Sequence, residues 1–205
     1  LELFVSTQTP YMDRDEVAQV LGIGPDQVRI IPSAVGGGFG GKLDCSVQPL
    51  LAVAAWILEK PIRCTFTRPE SLASSTKRHP AKMKASASCD KDGSLTSLSF
   101  EGDFNTGAYA SWGPTVADRV PIHCSGPYFV PNILAKTRAL LTNGPPSGAF
   151  RGFGVPQSAI AHEALIDSLA EQTGIDQLEF RLKNALRKGQ KTGSGQLLEN
   201  SVGQA

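Results

Sequence analysis

The chain has 205 residues, 40% of them hydrophobic and 19% charged, which is the composition of an ordinary globular protein. Its 20 Lys and Arg side chains nearly balance its 19 Asp and Glu side chains, so the net charge of +1 gives no reason to expect a nucleic acid or an acidic membrane as partner. The sequence contains no uninterrupted apolar stretch of the ~20 residues that a membrane-spanning helix needs.

The four cysteines, Cys45, Cys64, Cys89 and Cys124, lie too far apart to form a CxxC unit. The sequence therefore indicates no zinc or iron–sulfur site, because such sites usually contain closely spaced cysteine pairs. Scattered thiols are typical of reduced proteins, so we expect a cytoplasmic location. Because the sequence opens on a strand-like run, Leu1–Phe4, without a Met, we also expect it to be a piece of a longer polypeptide.

The first half of the chain alternates short apolar runs with glycine-rich breaks, a pattern that predicts strands and helices joined by turns. Asp13 is expected to be the N-cap of the first helix, with Glu16 at the capping-box position. In chain order, the predicted elements are a strand over 1–7, a helix that Asp13 opens and Gly22 stops, a strand over 28–31, a glycine-rich loop over 34–44, a buried helix over 47–58 and a β-like segment over 62–67.

The second half contains a hairpin signal, since two alternating runs are joined by the turn sequence DKDGS. Residues 105–132 are rich in Gly, Pro and aromatic residues and show little regular period. The predicted elements are strands over 82–89, 95–104 and 133–141, a second irregular loop over 142–156, and helices over 156–172 and 176–187. Together they predict an α+β fold with mixed sheets, packed helices and two long glycine-rich loops, which are rarely mere connectors.

The first of these loops, AVGGGFGGKLD, fits two nucleotide-binding motifs in part. Gly36, Gly41 and Lys42 match a phosphate-binding P-loop, but Leu43 stands where that motif needs a Ser or Thr to bind Mg²⁺. Gly36, Gly38 and Gly41 match a dinucleotide fingerprint, but the hairpin that follows does not continue a parallel βαβ series. Two interpretations remain: the loop is a structural bend, or its backbone amides surround a different ligand. We expect Lys42 to brace the loop or to face outward.

The chain also carries five short motifs, each weak alone and specific together. They are TQTP at 7–10, GGGFGGK at 36–42, RHP at 78–80, GAY at 107–109 and GAFRGFGVPQ at 148–157. In order and spacing they resemble the molybdenum hydroxylases, the xanthine dehydrogenase and aldehyde oxidase family, and specifically the molybdenum-cofactor-binding part of the catalytic subunit. The resemblance implies part of the family's first molybdopterin-binding domain over 1–188, with 189–205 as a polar tail or a link to missing sequence.

The resemblance assigns a cofactor role to the segment after the first strand and to both glycine-rich loops. In this family a Gln donates a hydrogen bond to an oxo ligand of molybdenum, and Gln8 stands at that position without being a direct metal ligand. Backbone amides of the loops approach the metal and pterin, which requires glycine because side chains would block the approach. The implied cofactor-binding residues, expected to converge on one concave site, are Gln8, Gly37, Gly38, Phe39, Gly40, Ala149, Phe150 and Arg151. The ordinary alternatives are a polar loop residue for Gln8 and a surface salt bridge for Arg151.

Three further residues resemble positions that contact substrate in this family. Phe153 stands where an aromatic residue packs against the substrate ring, although a core Phe is the ordinary alternative. Leu43 replaces the Glu that hydrogen-bonds the purine in purine-oxidising members. Arg119 stands where those members carry a substrate-binding Arg, and a guanidinium suits a carboxylate. Leu43 and Arg119 together favour a charged or polar heterocycle, an aromatic carboxylate or a purine held differently over a plain aldehyde.

The resemblance also implies a reaction and a set of partners. The cofactor would be molybdenum–molybdopterin, with the cytosine dinucleotide form as one alternative, and the reaction would hydroxylate an aromatic heterocycle, purine or aldehyde with water-derived oxygen. Electrons would leave through [2Fe–2S] and FAD on partner domains or subunits. No acidic residue here matches the family's general-base Glu, so we expect a fragment or split subunit that is inactive without the remaining molybdenum-binding domain. A degenerate or truncated assembly module without catalysis is the alternative.

Overall fold

Residues 1–202 are described by a computed structural model, in which the chain divides into two structural units. The first unit is formed by residues 1–78, 106–112 and 141–151, and the second by residues 79–105, 113–140 and 152 onward. The last three residues of the predicted tail, 203–205, lie outside the described residues.

The first unit begins with two parallel strands connected by a helix. Its elements are β1 (Glu2–Val5), α1 (Pro10–Leu21), a 3-10 turn (Pro25–Gln27), β2 (Arg29–Pro32), α2 (Gln48–Leu58) and α3 (Arg68–Ser74). Glu2 lies opposite Arg29 in the parallel ladder. Pro10 is tolerated at the start of α1 because its missing N–H would have no partner in the first turn. Gly22 ends α1 with a left-handed φ of 68°.

The core of the first unit is small and apolar. It is formed by Leu3 of β1, Val17 and Ala18 of α1, Val28 next to β2, and Ala52 of α2. Each fully buried Val or Leu side chain contributes about 1.5–3 kcal/mol relative to an exposed one. These contacts hold α1 and α2 against the two strands. The loops that leave β1 and β2 emerge at the same edge, because the carboxyl ends of parallel strands lie together.

The second unit contains an antiparallel hairpin in a sheet covered by helices. Its elements are β3 (Ala81–Cys89), β4 (Leu95–Gly107), α4 (Gly113–His123), β5 (Asn132–Leu141), α5 (Val155–Thr173) and α6 (Gln177–Asn184), and the strand order in the sheet is β3-β4-β5. The last two residues of β4 and the last residue of β5 belong to the first unit. The alternate residues Leu98, Phe100 and Phe104 of β4 are buried, as period-2 patterning predicts. They share a core with Ile166 and Leu169 of α5.

Most predicted elements are confirmed, including the hairpin and the last two helices. Four details are wrong. Asp13 does not cap α1 but lies inside it and is buried, where it accepts hydrogen bonds from Gln48 and Cys45. The β-like segment over 62–67 forms no strand, and the region over 105–132 contains a helix, α4. The helix over 47–58 is present as α2, but it is only partly buried, since Ile57 is 72% exposed.

The predicted tail is hydrogen-bonded over its described part. The Gly189 amide donates to the Leu198 carbonyl, and the Val202 amide donates back to the Leu186 carbonyl. The boundary between 188 and 189 stays a prediction. Among residues 1–202, no helix is long and apolar enough to cross a bilayer.

Candidate functional site

Gln8 meets the first glycine-rich loop beyond the carboxyl ends of β1 and β2. The backbone N–H of Gln8 donates to the Lys42 carbonyl over 3.1 Å, and its side-chain Oε1 accepts from the Gly40 backbone N–H over 3.0 Å. Oε1 therefore already accepts a hydrogen bond, whereas Nε2 donates to no acceptor in residues 1–202. The Gln8 side chain is exposed, so Nε2 can reach a ligand. The loop therefore orients Gln8 as a hydrogen-bond donor.

Two glycines allow the first glycine-rich loop to approach its neighbours closely. A Cβ on Gly38 would lie 2.3 Å from Gln8 Oε1, which is closer than any real contact. A Cβ on Gly40 would lie 2.9 Å from both the Ala149 carbonyl carbon and the Phe150 nitrogen. Gly40 also has a φ of 84°, a conformation that favours glycine. The two glycine-rich loops thus touch backbone to backbone at Gly40.

Backbone amides of both loops remain available to a ligand. Six of them donate to no acceptor in residues 1–202: those of Gly37, Gly38, Phe39, Ala149, Phe150 and Arg151. Such a run is unusual, because the great majority of amides in folded proteins are paired. Phe39 has a left-handed φ of 50° beside Gly37 at 103°. Successive amides in such conformations form a concave site for anionic or oxygen-rich groups.

Two arginine–aromatic contacts connect three loops around these amides. The Arg151 guanidinium carbon lies 5.2 Å from the centroid of the Phe39 ring. The Arg78 guanidinium carbon lies 4.7 Å from the centroid of the Phe150 ring, and its Nη2 donates to the Arg151 carbonyl over 2.6 Å. Arg151 forms no ion pair with any residue in 1–202, so a surface salt bridge there is not observed. The sequence assigned no function to Arg78, although the residue belongs to the RHP motif.

Lys42 braces the loop, as expected. Its Nζ donates to Ser6 Oγ over 2.7 Å and to the Val35 carbonyl. Both acceptors are fixed parts of the first unit, so the ammonium is engaged without any phosphate. A nucleotide site is also disfavoured because α2 begins only at Gln48, well after Gly41, and its N-terminal amides do not follow the glycines directly as a phosphate site requires.

Leu43 and Asp44 fasten the end of the loop. The Leu43 carbonyl accepts from Thr9 Oγ1 over 3.1 Å, and Asp44 Oδ1 accepts from Ser111 Oγ over 2.5 Å.

Asp44 and Ser111 also line a cleft of ≈ 690 Å³ in the first unit, together with Cys45. Burial raises the pKa of the Cys45 thiol, with the carboxylates of Glu16 and Asp13 adding to the effect. This thiol is therefore protonated and is a poor nucleophile or metal ligand.

The second unit positions the predicted substrate residues Arg119 and Phe153 beside each other. The Arg119 guanidinium carbon lies 5.7 Å from the centroid of the Phe153 ring. Phe153 has a left-handed φ of 48°, between Gly152 at 90° and Gly154 at 96°. A Cβ on Gly154 would lie 2.8 Å from the carbonyl oxygen of Val116 on α4, the helix that also carries Arg119. Close packing of this glycine turn on α4 therefore holds the pair together.

The described residues place the predicted site residues in two groups. All eight cofactor residues and Leu43 lie in the first unit, whereas Arg119 and Phe153 lie in the second. No group of three His, Cys, Asp or Glu side chains in residues 1–202 could hold a metal ion. The first unit instead brings together the amides of the two glycine-rich loops, the Gln8 side-chain amide and the Arg151 guanidinium. Gly38 and Gly40 allow these groups to lie close together, because a Cβ at either position would clash with Gln8 or with the second loop.

Comparisons with known proteins identify the family of the chain. A family model described as the molybdopterin cofactor-binding domain matches residues 1–185. The chain is 47% identical over 203 residues to the nicotinate dehydrogenase large molybdopterin subunit of Eubacterium barkeri, covering 99% of this chain and 48% of that protein. It is 34% identical over 180 residues to the aldehyde oxidoreductase of Megalodesulfovibrio gigas, covering 88% and 20% respectively.

Solved structures show the same fold. The aldehyde oxidoreductase from Desulfovibrio gigas matches with a TM-score of 0.92 at 32% identity, over 98% of this chain and 22% of that one. The quinoline 2-oxidoreductase from Pseudomonas putida 86 matches with a TM-score of 0.88 at 29% identity, over 96% and 26%. The predicted α+β fold and the predicted resemblance are thereby confirmed, and the chain spans about half or less of the length of these relatives.

Proposed function

Because the chain belongs to the molybdopterin cofactor-binding domain family, we propose that its first unit holds one side of a molybdenum–molybdopterin cofactor in an oxidoreductase. The observation that carries this proposal is the convergence of Gln8 with the unpaired amides of two glycine-rich loops. The donor set fits the group, since an oxygen-bearing metal and an anionic pterin are both acceptors of hydrogen bonds.

Each residue of the cradle has a separate task in this proposal. Gln8 donates from Nε2 to an oxygen bound to the metal, because Oε1 is fixed by Gly40. The amides at 37–39 and 149–151 bind the anionic parts of the cofactor. Arg151 adds a positive charge beside them while its guanidinium rests on Phe39. Gly38 lets Gln8 lie against the first loop, and Gly40 lets the backbone of the second loop do so, because a Cβ at either glycine would clash with them.

When bound, the cofactor would supply two-electron oxidation coupled to the transfer of a water-derived oxygen to a carbon of the substrate. The proton that this reaction releases needs a general base. No acidic residue in the chain matches the family's base, so we assign it to the remaining part of the molybdenum-binding region. We likewise assign electron transfer to [2Fe–2S] and FAD on partner domains or subunits.

An aromatic carboxylate with a ring nitrogen is the substrate class that the second unit suits best. The exposed Arg119 guanidinium can bind a carboxylate, while Phe153 stacks on a flat ring. Leu43 offers no carboxylate to hydrogen-bond a purine. The 47% identity to a protein named nicotinate dehydrogenase supports the same class.

The proposal is tested with the full-length protein and its partners, an artificial electron acceptor and ¹⁸O-labelled water. With nicotinate as the substrate, one labelled oxygen should enter the product and the acceptor should be reduced. Arg119→Gln should raise the KM for nicotinate more than for the neutral heterocycle quinoline. Arg63→Gln, a change at an exposed arginine of the first unit, should leave both unchanged. If the full-length complex contains no molybdenum, the assembly-module alternative holds instead.

A further inference from the structure

We propose that Arg78 is a positioning residue that locks the second glycine-rich loop in its cofactor-binding conformation, an inference that rests on the proposed function. Arg78 belongs to the segment between α3 and β3 and to neither glycine-rich loop. Its guanidinium nevertheless contacts the second loop twice, at the Phe150 ring and at the Arg151 carbonyl. Arg78 therefore acts through Phe150 and Arg151 and not on the cofactor itself.

The hydrogen bond from Arg78 fixes the peptide between Arg151 and Gly152. Nη2 of Arg78 donates to the Arg151 carbonyl over 2.6 Å, across 73 residues of sequence. A charged donor makes this bond roughly twice as strong as a neutral one. Because the carbonyl of Arg151 is held, rotation of the following peptide toward Gly152 is restricted. Gly152 has a φ of 90° and could otherwise adopt many conformations.

The stacking contact restrains the other side of the same peptide segment. The planar Arg78 guanidinium lies 4.7 Å from the Phe150 ring centroid, and that ring belongs to a residue that is 42% exposed. An exposed ring in a loop would otherwise sample several rotamers. Arg78 thus restrains the Phe150 side chain and the Arg151 carbonyl, which lie on either side of the peptide that carries the Arg151 N–H. Lysine cannot do both, because its ammonium lacks the planar fork.

A second stack continues this arrangement to the first glycine-rich loop. Arg151 lies over Phe39, and Gly40 contacts the backbone at Ala149 and Phe150. Two arginine–aromatic contacts thus connect three chain segments: Arg78 lies over Phe150, and the neighbouring Arg151 lies over Phe39. Displacement of the Arg151 peptide would therefore also move the guanidinium away from Phe39. Removing Arg78 should accordingly loosen the grip on the cofactor without removing any group that touches it.

The test measures cofactor loss from the full-length complex carrying Arg78→Gln, Arg78→Lys or the matched control Arg14→Gln. Arg14 also stacks on an aromatic ring of the first unit, 5.3 Å from the Tyr11 centroid, but contacts neither loop. Molybdenum is measured by mass spectrometry relative to iron, and released pterin by its fluorescence after oxidation. We expect Arg78→Gln to lose molybdenum and pterin about tenfold faster than wild type, Arg78→Lys to be intermediate, and Arg14→Gln to match wild type.

A double variant separates positioning from general destabilisation. If Arg78 acts through the Phe150 ring, Arg78→Gln added to Phe150→Ala should accelerate cofactor loss little further, because both changes remove the same stacking contact. Wild-type rates of loss in both Arg78 variants, or fully additive effects in the double variant, overturn the inference and leave the proposed function standing. A wild-type complex with full iron and no molybdenum overturns both. Should Arg78→Gln fail to assemble, Arg78→Lys decides, since it keeps the charge.

Discussion

Replacement of Gly38 by alanine tests the glycine-rich cradle most sharply. Gly38 does not have a positive φ, so alanine meets no backbone strain there. The added methyl group would, however, lie 2.3 Å from Gln8 Oε1 and 2.8 Å from Gln8 Cβ. Because the Cβ of Gln8 cannot swing aside as the end of a side chain can, Gln8 must leave its position and release the Gly40 amide.

The size of the effect follows from three contributions. Loss of the Gly40–Gln8 hydrogen bond costs about 0.5–1.5 kcal/mol, and the overpacking costs about 1–3 kcal/mol. Replacing a glycine at an allowed φ returns about 0.4–1 kcal/mol by restricting the unfolded chain. Gly38→Ala should therefore lower the free energy of unfolding by roughly 0.5–4 kcal/mol. The control Gly41→Ala should be neutral or slightly stabilising, because its Cβ would meet only the Gly38 carbonyl at 3.6 Å.

Urea unfolding followed by tryptophan fluorescence measures this difference. The only two tryptophans of the chain, Trp56 and Trp112, both belong to the first unit, so their emission reports on the unit that contains the loop. In the full-length complex, Gly38→Ala should also lower the molybdenum content, since Gln8 no longer presents its Nε2. Equal stability and equal molybdenum content in Gly38→Ala and Gly41→Ala would refute the role given to Gly38.

Three further changes probe the surroundings. Gly40→Ala combines a φ of 84° with contacts of 2.9 Å to backbone atoms, so it should destabilise the first unit more than Gly38→Ala in the same urea assay; a smaller effect would contradict the loop contact. Lys42→Met should cost about 1.5–3 kcal/mol of unfolding free energy through lost charged hydrogen bonds, whereas Lys60→Met, at an exposed lysine, should cost nothing measurable. Burial lowers the pKa of His162, so the folded state favours its neutral form. The resulting stability is present above the unfolded-state pKa of ~6.5 and is lost as the pH falls from there through the lower folded-state pKa. His162→Gln should therefore reduce the fall in unfolding free energy between about pH 7.5 and 5.5, measured by circular dichroism. Burial also lowers the pKa of His79, so part of the fall should remain. A fall as steep as that of the wild type would contradict the role given to His162.

Elements with a clear local pattern could be predicted from the sequence. The β3–β4 hairpin shows alternation and a DG turn, and Gly93 has the left-handed φ of 80° that such a turn uses. Helix α4 could not be predicted because Pro114 and Pro121 interrupt its pattern, although Val116 and Val120 are buried on one face. Its stability comes from packing in the second unit, which no local pattern reveals.

Other errors have the same origin. Asp is a common helix N-cap residue, but the helix begins earlier, at Pro10. The Asp13 carboxylate instead accepts a hydrogen bond from the buried side-chain amide of Gln48. The segment over 62–67 has the composition of a strand, yet pairs with no strand in residues 1–202. In both places tertiary contacts decide a structure that intrinsic preference leaves open.

The candidate site divides in a similar way. Order and spacing of the motifs were enough to predict that Gln8 belongs with the glycine-rich loops, and parallel pairing of β1 with β2 explains why they meet. The contacts of Arg78 with Phe150 and Arg151 could not be predicted from the sequence. Arg78 and Arg151 lie 73 residues apart, and no local sequence pattern indicates that they meet.

The location of molybdenum in the full-length complex tests the central claim most directly. Diffraction data collected on both sides of the molybdenum absorption edge locate the metal without reference to the surrounding protein density. We predict a single anomalous peak in front of Gln8 Nε2, on the side lined by the amides at 37–39 and 149–151. An anomalous peak away from these groups, or none in a complex with its full complement of iron, would contradict the account.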